Sequence, residues 1–270
     1  MTPEQHRAVQ SYLETLANRD LVRVWRSLDV GDAELATRLL LPQVRDVVTA
    51  YAELSATAAA DFYETNRQLA GVSGDFVARP AGTAPTGQID ALTRWSVTPI
   101  WSDDPRTGAA LARLAGGAQR LIRKAERDTI YENGAADDQL IGWIRIAQPD
   151  ACAFCLMLAS RGAVYTSRDA ATEVVGREVR RFTRPGRRGT GFVADRTGGK
   201  RRPGGRDLGE SYHDNCRCET RPIYSPAEVP QENRDLQDEW NTVTEGEYDQ
   251  LAAWRQHGDS TRPNQHQVRD

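Results

Sequence analysis

Apolar residues recur at helical spacing through the first half of the chain. Thr2-Pro3-Glu4-Gln5 reads as a helix start, with Thr as N-cap, Pro at the first helical position and Gln at the third. Val9, Leu13, Leu16, Val24, Trp25 and Leu28 follow at roughly helical spacing, and Asp29 to Asp32 break the pattern. A second helical region spans Ala33 to Leu69, where Pro42 is expected to end or kink a short first helix. Beyond it, Val44, Val47, Tyr51, Leu54, Ala58 and Phe62 form a long stripe of the kind that makes a helix–helix seam. Gly71 to Gly87 is rich in Gly, Pro, Ala and Ser and predicts a linker. A short helix is expected over Gln88–Ser96. Another should start with Asp104 as N-cap and Pro105 after it, carry Leu111, Leu114, Ala118, Leu121, Ala125 and Ile130 inward, and end at Asn133-Gly134. Arg113, Arg120, Arg123, Lys124 and Arg127 leave that helix a basic opposite side, a solvated face or a contact for nucleic acid or an acidic partner.

The pattern changes after Gly134. Leu140 to Ile146 is apolar and β-branched and predicts a strand; Pro149-Asp150 predicts a turn; Cys155 to Ala159 predicts a short helix; Gly162 to Tyr165 predicts a second short strand. From about Thr183 to Gly209 apolar residues are few, chiefly Phe192 and Val193, which predicts a long loop or arm that orders only when covered. Glu219 to Tyr224 reads as a strand ended by Ser225-Pro226. Helical stretches follow around Asn233–Trp240 and Glu245–Trp254, and the last dozen residues have the composition of a disordered end. The expected fold is therefore a mainly α N-terminal half, a small α+β Cys/His module in the second half, an extended basic loop and an acidic C-terminal tail. The expected divisions are 1–70, a linker at 71–87, a module over 88–225 with an insertion at about 177–209, and a tail over 226–270.

Composition narrows the function classes. The chain has 270 residues, 39% hydrophobic and 27% charged, with a formal net charge of -3. No stretch approaches the roughly 18 apolar residues of a membrane span, and no basic-then-apolar leader opens the sequence. The expectation is a chain made in a cytosol, where thiols stay reduced. Charge is unevenly placed: between Arg177 and Arg206 eleven basic residues stand against Glu178 and Asp195. Such density would bind phosphate with a strong salt dependence, and the scarcity of aromatics favours backbone contact over base reading. The candidate contacts for nucleic acid or acidic protein are Arg180, Arg181, Arg184, Arg187, Arg188, Arg196, Lys200, Arg201, Arg202 and Arg206.

All four cysteines fall in two short segments, Cys152-Ala153-Phe154-Cys155 and His213-Asp214-Asn215-Cys216-Arg217-Cys218. Thiolates and an imidazole at C-x-x-C and H-x-x-C spacing suit the tetrahedral preference of zinc. Cys152, Cys155, His213 and Cys216 are the preferred set for one structural zinc. Cys218 is the alternate ligand, expected on the opposite side of a following strand. Other chemistries compete. A C-x-x-C ahead of a helix is also a redox arrangement; Cys155 with His213 could form a nucleophile–base pair; the thiols could be packed or disulfide-bonded. A zinc deaminase would need an upstream H-x-E, which His6 does not supply.

A strand (Trp143 to Ile146), then Asp150-x-Cys152-x-x-Cys155, Leu158, Gly162 and Val164-Tyr165, and later His213-Asp214-Asn215-Cys216-Arg217-Cys218 before another strand, resembles the F-like minor head protein family of phage Mu. The resemblance covers roughly Leu111 to Tyr224. Two features depart from it: Glu210-Ser211-Tyr212 stands where members often carry prolines, and the spacer between the cysteine arms is long. The resemblance implies a head-morphogenesis protein with no membrane association, made in the host bacterial cytoplasm and present in few copies in the virion interior near the portal vertex. Its implied partners are the portal protein, the major capsid or scaffold protein, and packaged double-stranded DNA. The same module occurs in toxin-like proteins, so a toxin-like transferase, a capsid-processing protease using His213, and a zinc-stabilised DNA-binding module are the competing readings.

Overall fold

The computed structural model describes residues 1–28, 32–101, 104, 106–147, 151, 153–161, 178–183, 190–195 and 218–261. Four helices build the N-terminal half: α1 (Pro3–Arg26), α2 (Ala33–Leu69), α3 (Thr86–Ser96) and α4 (Thr107–Ala136), with a 3-10 turn at Thr98–Ile100. The expected start of α1 is present as a reciprocal cap. Thr2 Oγ1 accepts from the Gln5 amide at 3.3 Å, and Gln5 Oε1 accepts from the Thr2 amide at 2.8 Å. Asp32 caps α2 by accepting from the Leu35 amide at 2.9 Å.

Pro42 does not end α2, which runs unbroken to Leu69. Its ring lies on the exposed side, where water can serve the carbonyl that loses its amide partner, while Leu40, Val44 and Val48 on the inner side are fully buried. The buried seam of α2 is also rotated from the expected stripe. It runs Val44, Val48, Ala52, Ala56, Ala59 and Tyr63, whereas Leu54 stays half exposed. Small residues carry this seam because α4 packs there: Ala52 and Ala56 meet Ala125. A larger cluster joins Leu21 and Trp25 of α1 and Leu40 and Val44 of α2 to Ile89 and Leu92 of α3 and Leu114 and Leu121 of α4.

The segment between α2 and α3 is strapped to the bundle. Asn133 accepts from the Arg79 amide and donates to its carbonyl, both at 2.7 Å, and Thr129 Oγ1 accepts from the Ala81 amide at 3.0 Å. Core residues on both sides of the strap belong to the same large cluster.

Both expected ends of α4 are corrected. Its N-cap position is Arg106, one residue past the Asp104-Pro105 pair, with no side-chain cap. At the other end the helix passes through Gly134 to Ala136, and a Cβ at 134 would sit 2.6 Å from both Leu140 Cδ2 and Trp143 Cζ2. Glycine is selected by packing against the first strand, so it does not act as a stop signal. Gly134→Ala should therefore destabilise the protein by about 1–3 kcal/mol in urea unfolding, despite the better helix propensity of alanine. Gly108→Ala, in open space on the same helix, should be neutral or stabilising by up to about 1 kcal/mol.

The second half contains β1 (Gly142–Ile146), α5 (Ala153–Ala159), β2 (Glu178–Thr183), β3 (Thr190–Asp195), β4 (Glu219–Ile223), α6 (Gln231–Thr244) and α7 (Gln250–Thr261), with a 3-10 turn at Pro226–Glu228. The fold is thus mainly helical, with a small antiparallel β1–β4 pair in the second half, in register from Gly142↔Ile223 to Ile146↔Glu219. This pair sits on the C-terminal ends of α2 and α4, where Trp143 meets Tyr131 edge-on. Asp137, one residue past α4, accepts from Arg67 Nε at 3.0 Å, Tyr63 Oη at 3.2 Å and Tyr224 Oη at 3.0 Å, tying both helices to the end of β4.

The arm is not wholly a loop. β2 and β3 pair antiparallel from Glu178↔Asp195 to Thr183↔Thr190. Val179, Phe182, Phe192 and Val193 supply β-forming residues that the surrounding arginines and glycines obscure in a reading by composition. The expected strand at Gly162–Tyr165 and the expected disordered end beyond residue 261 lie outside the described residues.

Candidate functional site

The pairing of β1 with β4 decides where the cysteine arms go. Ile146 opposes Glu219, so the chain leaving β1 toward α5 and the chain entering β4 start side by side. Cys155, on α5, and Cys218, just before β4, are both buried in one cluster with Ala151, Leu156, Met157, Leu158 and Trp254. Cys218, the alternate ligand, is a member of the same cluster as Cys155. Cys152, His213 and Cys216 lie outside the described residues.

The C-terminal helices close this cluster. Trp254 of α7 is 1% exposed, and its Nε1 donates to the Ala153 carbonyl at 2.9 Å. It packs against Trp240 of α6 with ring centroids 5.3 Å apart. Asn233 of α6 donates to the carbonyls of Arg145 at 2.8 Å and Ala159 at 2.9 Å, fixing β1 to the end of α5. His257 Nε2 meets Glu239 Oε1 at 2.8 Å and holds α7 against α6.

A second arrangement, which no motif in the sequence announces, is a buried charged network behind β4. Arg123 is 1% exposed; it donates through Nε to Glu14 and through Nη1 to Glu126 Oε2 at 2.9 Å. His6 Nε2 faces the other oxygen of Glu126 at 3.0 Å, and the His6 ring stacks on Phe62 with centroids 4.2 Å apart. Arg7 Nε donates to Glu219 Oε1 at 3.0 Å. Thr220 meets Tyr131 Oη at 3.2 Å. α1 thus reaches the first residue after Cys218 and α4 the second. Burial alone would raise the pKa of Glu126, but Arg123, with His6 and Arg127, outweighs it and holds the carboxyl at about 2. Glu219 moves the other way: burial and then the neighbouring Glu126 charge raise it, and Arg7 only partly offsets them.

This network corrects the expected basic face of α4. Arg123 and Arg127 are buried among carboxylates and are not available to nucleic acid. The clue was present in the sequence. His6 and Gln10 occupy the stripe that continues as Leu13, Ala17, Leu21 and Trp25, and polar residues on a buried stripe imply buried polar partners.

Of the arm residues expected to contact nucleic acid or acidic protein, Arg180 and Arg181 fall on β2, opposite Val193 and Phe192. Arg184, Arg187, Arg188, Arg196, Lys200, Arg201, Arg202 and Arg206 lie outside the described residues. Among the described residues no group of three or more His, Cys, Asp or Glu side chains could hold a metal ion, and no helix is long and apolar enough to cross a membrane. The donor chemistry that is described, two buried thiols from separate arms in one apolar cluster, fits the soft ligand set of a zinc centre.

A family model described as VG15 protein matches residues 2–243, from the start of α1 to the last turn of α6. No curated protein and no solved structure matches the chain.

Proposed function

Because the chain belongs to the VG15 protein family, a family of phage gene products, we propose that this phage protein is a minor capsid protein of a tailed phage that acts in head morphogenesis. It lies inside the head near the portal vertex, bound to the portal protein and close to packaged DNA. The observation that supports this most is the clasp: two cysteine arms meeting beside the β1–β4 pair, with the arginine-rich excursion between them. A clasp of this kind fixes the two ends of the excursion on a helical base and leaves the excursion to meet a polyanion.

In this reading the cysteines close the fold. Cys152, Cys155, His213 and Cys216 hold one structural zinc, with Cys218 as the alternate ligand, and the ion neutralises thiolates in an apolar setting. The arginines of the excursion contact DNA phosphates or acidic portal surface, so duplex binding should weaken steeply with salt. Zinc analysis of anaerobically purified protein should find one ion per chain, and less than about half a mole per mole would remove the metal from this account.

The composition of purified particles tests the function. Heads carrying packaged DNA should contain the protein in a few copies, at a ratio to the portal protein that is constant between preparations. Its absence from such heads would overturn the assignment.

A further inference from the structure

One end of the molecule carries two exposed tryptophans. Trp95, near the end of α3, is 47% exposed and Trp101, after the 3-10 turn, is 57% exposed. The Arg113 guanidinium lies 4.9 Å over the Trp95 ring and donates to Thr98 Oγ1 at 3.0 Å, which holds the indole outward. Arg94 and Arg106 are exposed beside them. Tryptophan and arginine are the side chains that dominate binding hot spots, and here Arg94, Arg106 and Arg113 flank the two rings, with the exposed Asp104 between Trp101 and Arg106 and Asp90 3.9 Å from Arg94.

A recess lies at the turn between α6 and α7. The turn between α6 and α7, made by Gly246 at φ 77, leaves a groove of about 440 Å³ lined by Trp240, Thr244, Glu245, Gly246 and Gln250. From Asp235 to Trp254 the chain has six carboxylates and no lysine or arginine. Of these, Glu245, Glu247 and Asp249 are exposed around the groove.

We propose that the chain self-associates head to tail, with Trp95 and Trp101 of one copy seated in the α6–α7 groove of the next. Arg94, Arg106 and Arg113 then face Glu245, Glu247 and Asp249 across the contact. Joining unlike surfaces makes the contact heterologous, and it builds a closed ring or an open string according to the rotation between copies. This contact does not depend on the proposed function.

Sedimentation velocity of the full chain tests it. The weight-average mass should rise with concentration at low salt and fall back as salt screens the charged rim. Trp95→Ala with Trp101→Ala should raise the Kd about thirtyfold or more while the far-UV spectrum stays unchanged. Glu245→Arg with Glu247→Arg should do the same from the other side. Each double variant keeps one good surface, so mixing the two should restore a heterodimer that neither forms alone. A wild-type chain that stays monomeric throughout, double variants that associate like wild type, or a mixture that forms no heterodimer would each overturn the proposal.

Discussion

Arg123→Met should lower the stability of the folded chain by about 3–5 kcal/mol at neutral pH, the cost of removing one partner from a buried ion pair. That is a large part of the roughly 5–15 kcal/mol that holds a domain together. The geometry sets the size. Glu126 is fully buried and takes its charge compensation mainly from Arg123, with His6 on its other oxygen. Methionine fills much of the arginine volume, so the loss would come from the stranded carboxylates of Glu126 and Glu14, with little contribution from a cavity. The effect has a pH signature. In the wild-type fold the Glu126 pKa is depressed from 4.5 to about 2. Its stabilising contribution is therefore complete above about pH 4.5 and is lost as pH falls through the folded value, amounting to about 3 kcal/mol. Glu219 runs opposite: its folded pKa is raised, so its share is present at low pH and lost as pH rises through the raised value. In Arg123→Met the depression of Glu126 should vanish, and the gap between variant and wild type should narrow as pH falls below about 4.5. Urea unfolding at a series of pH values measures this, and a gap that is constant with pH would show that Arg123 acts only by packing.

Trp254→Ala should have an effect of similar size, about 3–5 kcal/mol, because it removes the largest fully buried side chain and leaves a cavity beside the thiols. The loss should be local first. α7 is held by the Trp254 ring against Trp240, by its Nε1–Ala153 bond and by the His257–Glu239 contact. With the ring gone, α7 should undock while the four-helix half stays folded, since its core clusters contain no residue of α6 or α7. Reaction of Cys155 and Cys218 with a disulfide reagent in native buffer should then speed up about tenfold or more, because access limits a buried thiol. Hydrogen exchange should lose protection in α6 and α7 and keep it in α2 and α4. Unchanged thiol rates in Trp254→Ala would mean that α7 does not cover the cysteine cluster.

Much of the fold could be read from local signals. The capping box at Thr2, the break before Ala33 and the β-branched runs at Leu140 and Glu219 set boundaries through backbone chemistry, and each is present within a few residues of its expected place. Where tertiary packing decides, local reading went astray. Gly134 carries a stop signal but is a contact point for Trp143. Pro42 carries a break signal but faces water while its neighbours are buried. The α2 seam is built on alanines, which a search for large apolar residues passes over.

The site was legible to a similar degree. Two clustered cysteine arms imply that their chain segments meet, and Cys155 and Cys218 share one cluster. Nothing in their spacing announces that Trp254, about a hundred residues from Cys155 along the chain, closes the cluster, or that Arg7 reaches Glu219 from the first helix. Those contacts depend on how α1 and α7 fold back on the sheet, and periodicity does not encode that. The arginines of α4 show the same limit. Their spacing suggests a basic surface, and only the carboxylates of Glu14 and Glu126 turn two of them inward.

A cryo-EM map of the portal vertex in heads filled with DNA tests the central claim most directly. The proposal predicts helical density of this chain against the inner face of the portal, with the arginine-rich excursion turned toward the packaged DNA. A portal whose inner face is bare in such heads, in particles that still carry the protein elsewhere, would contradict it.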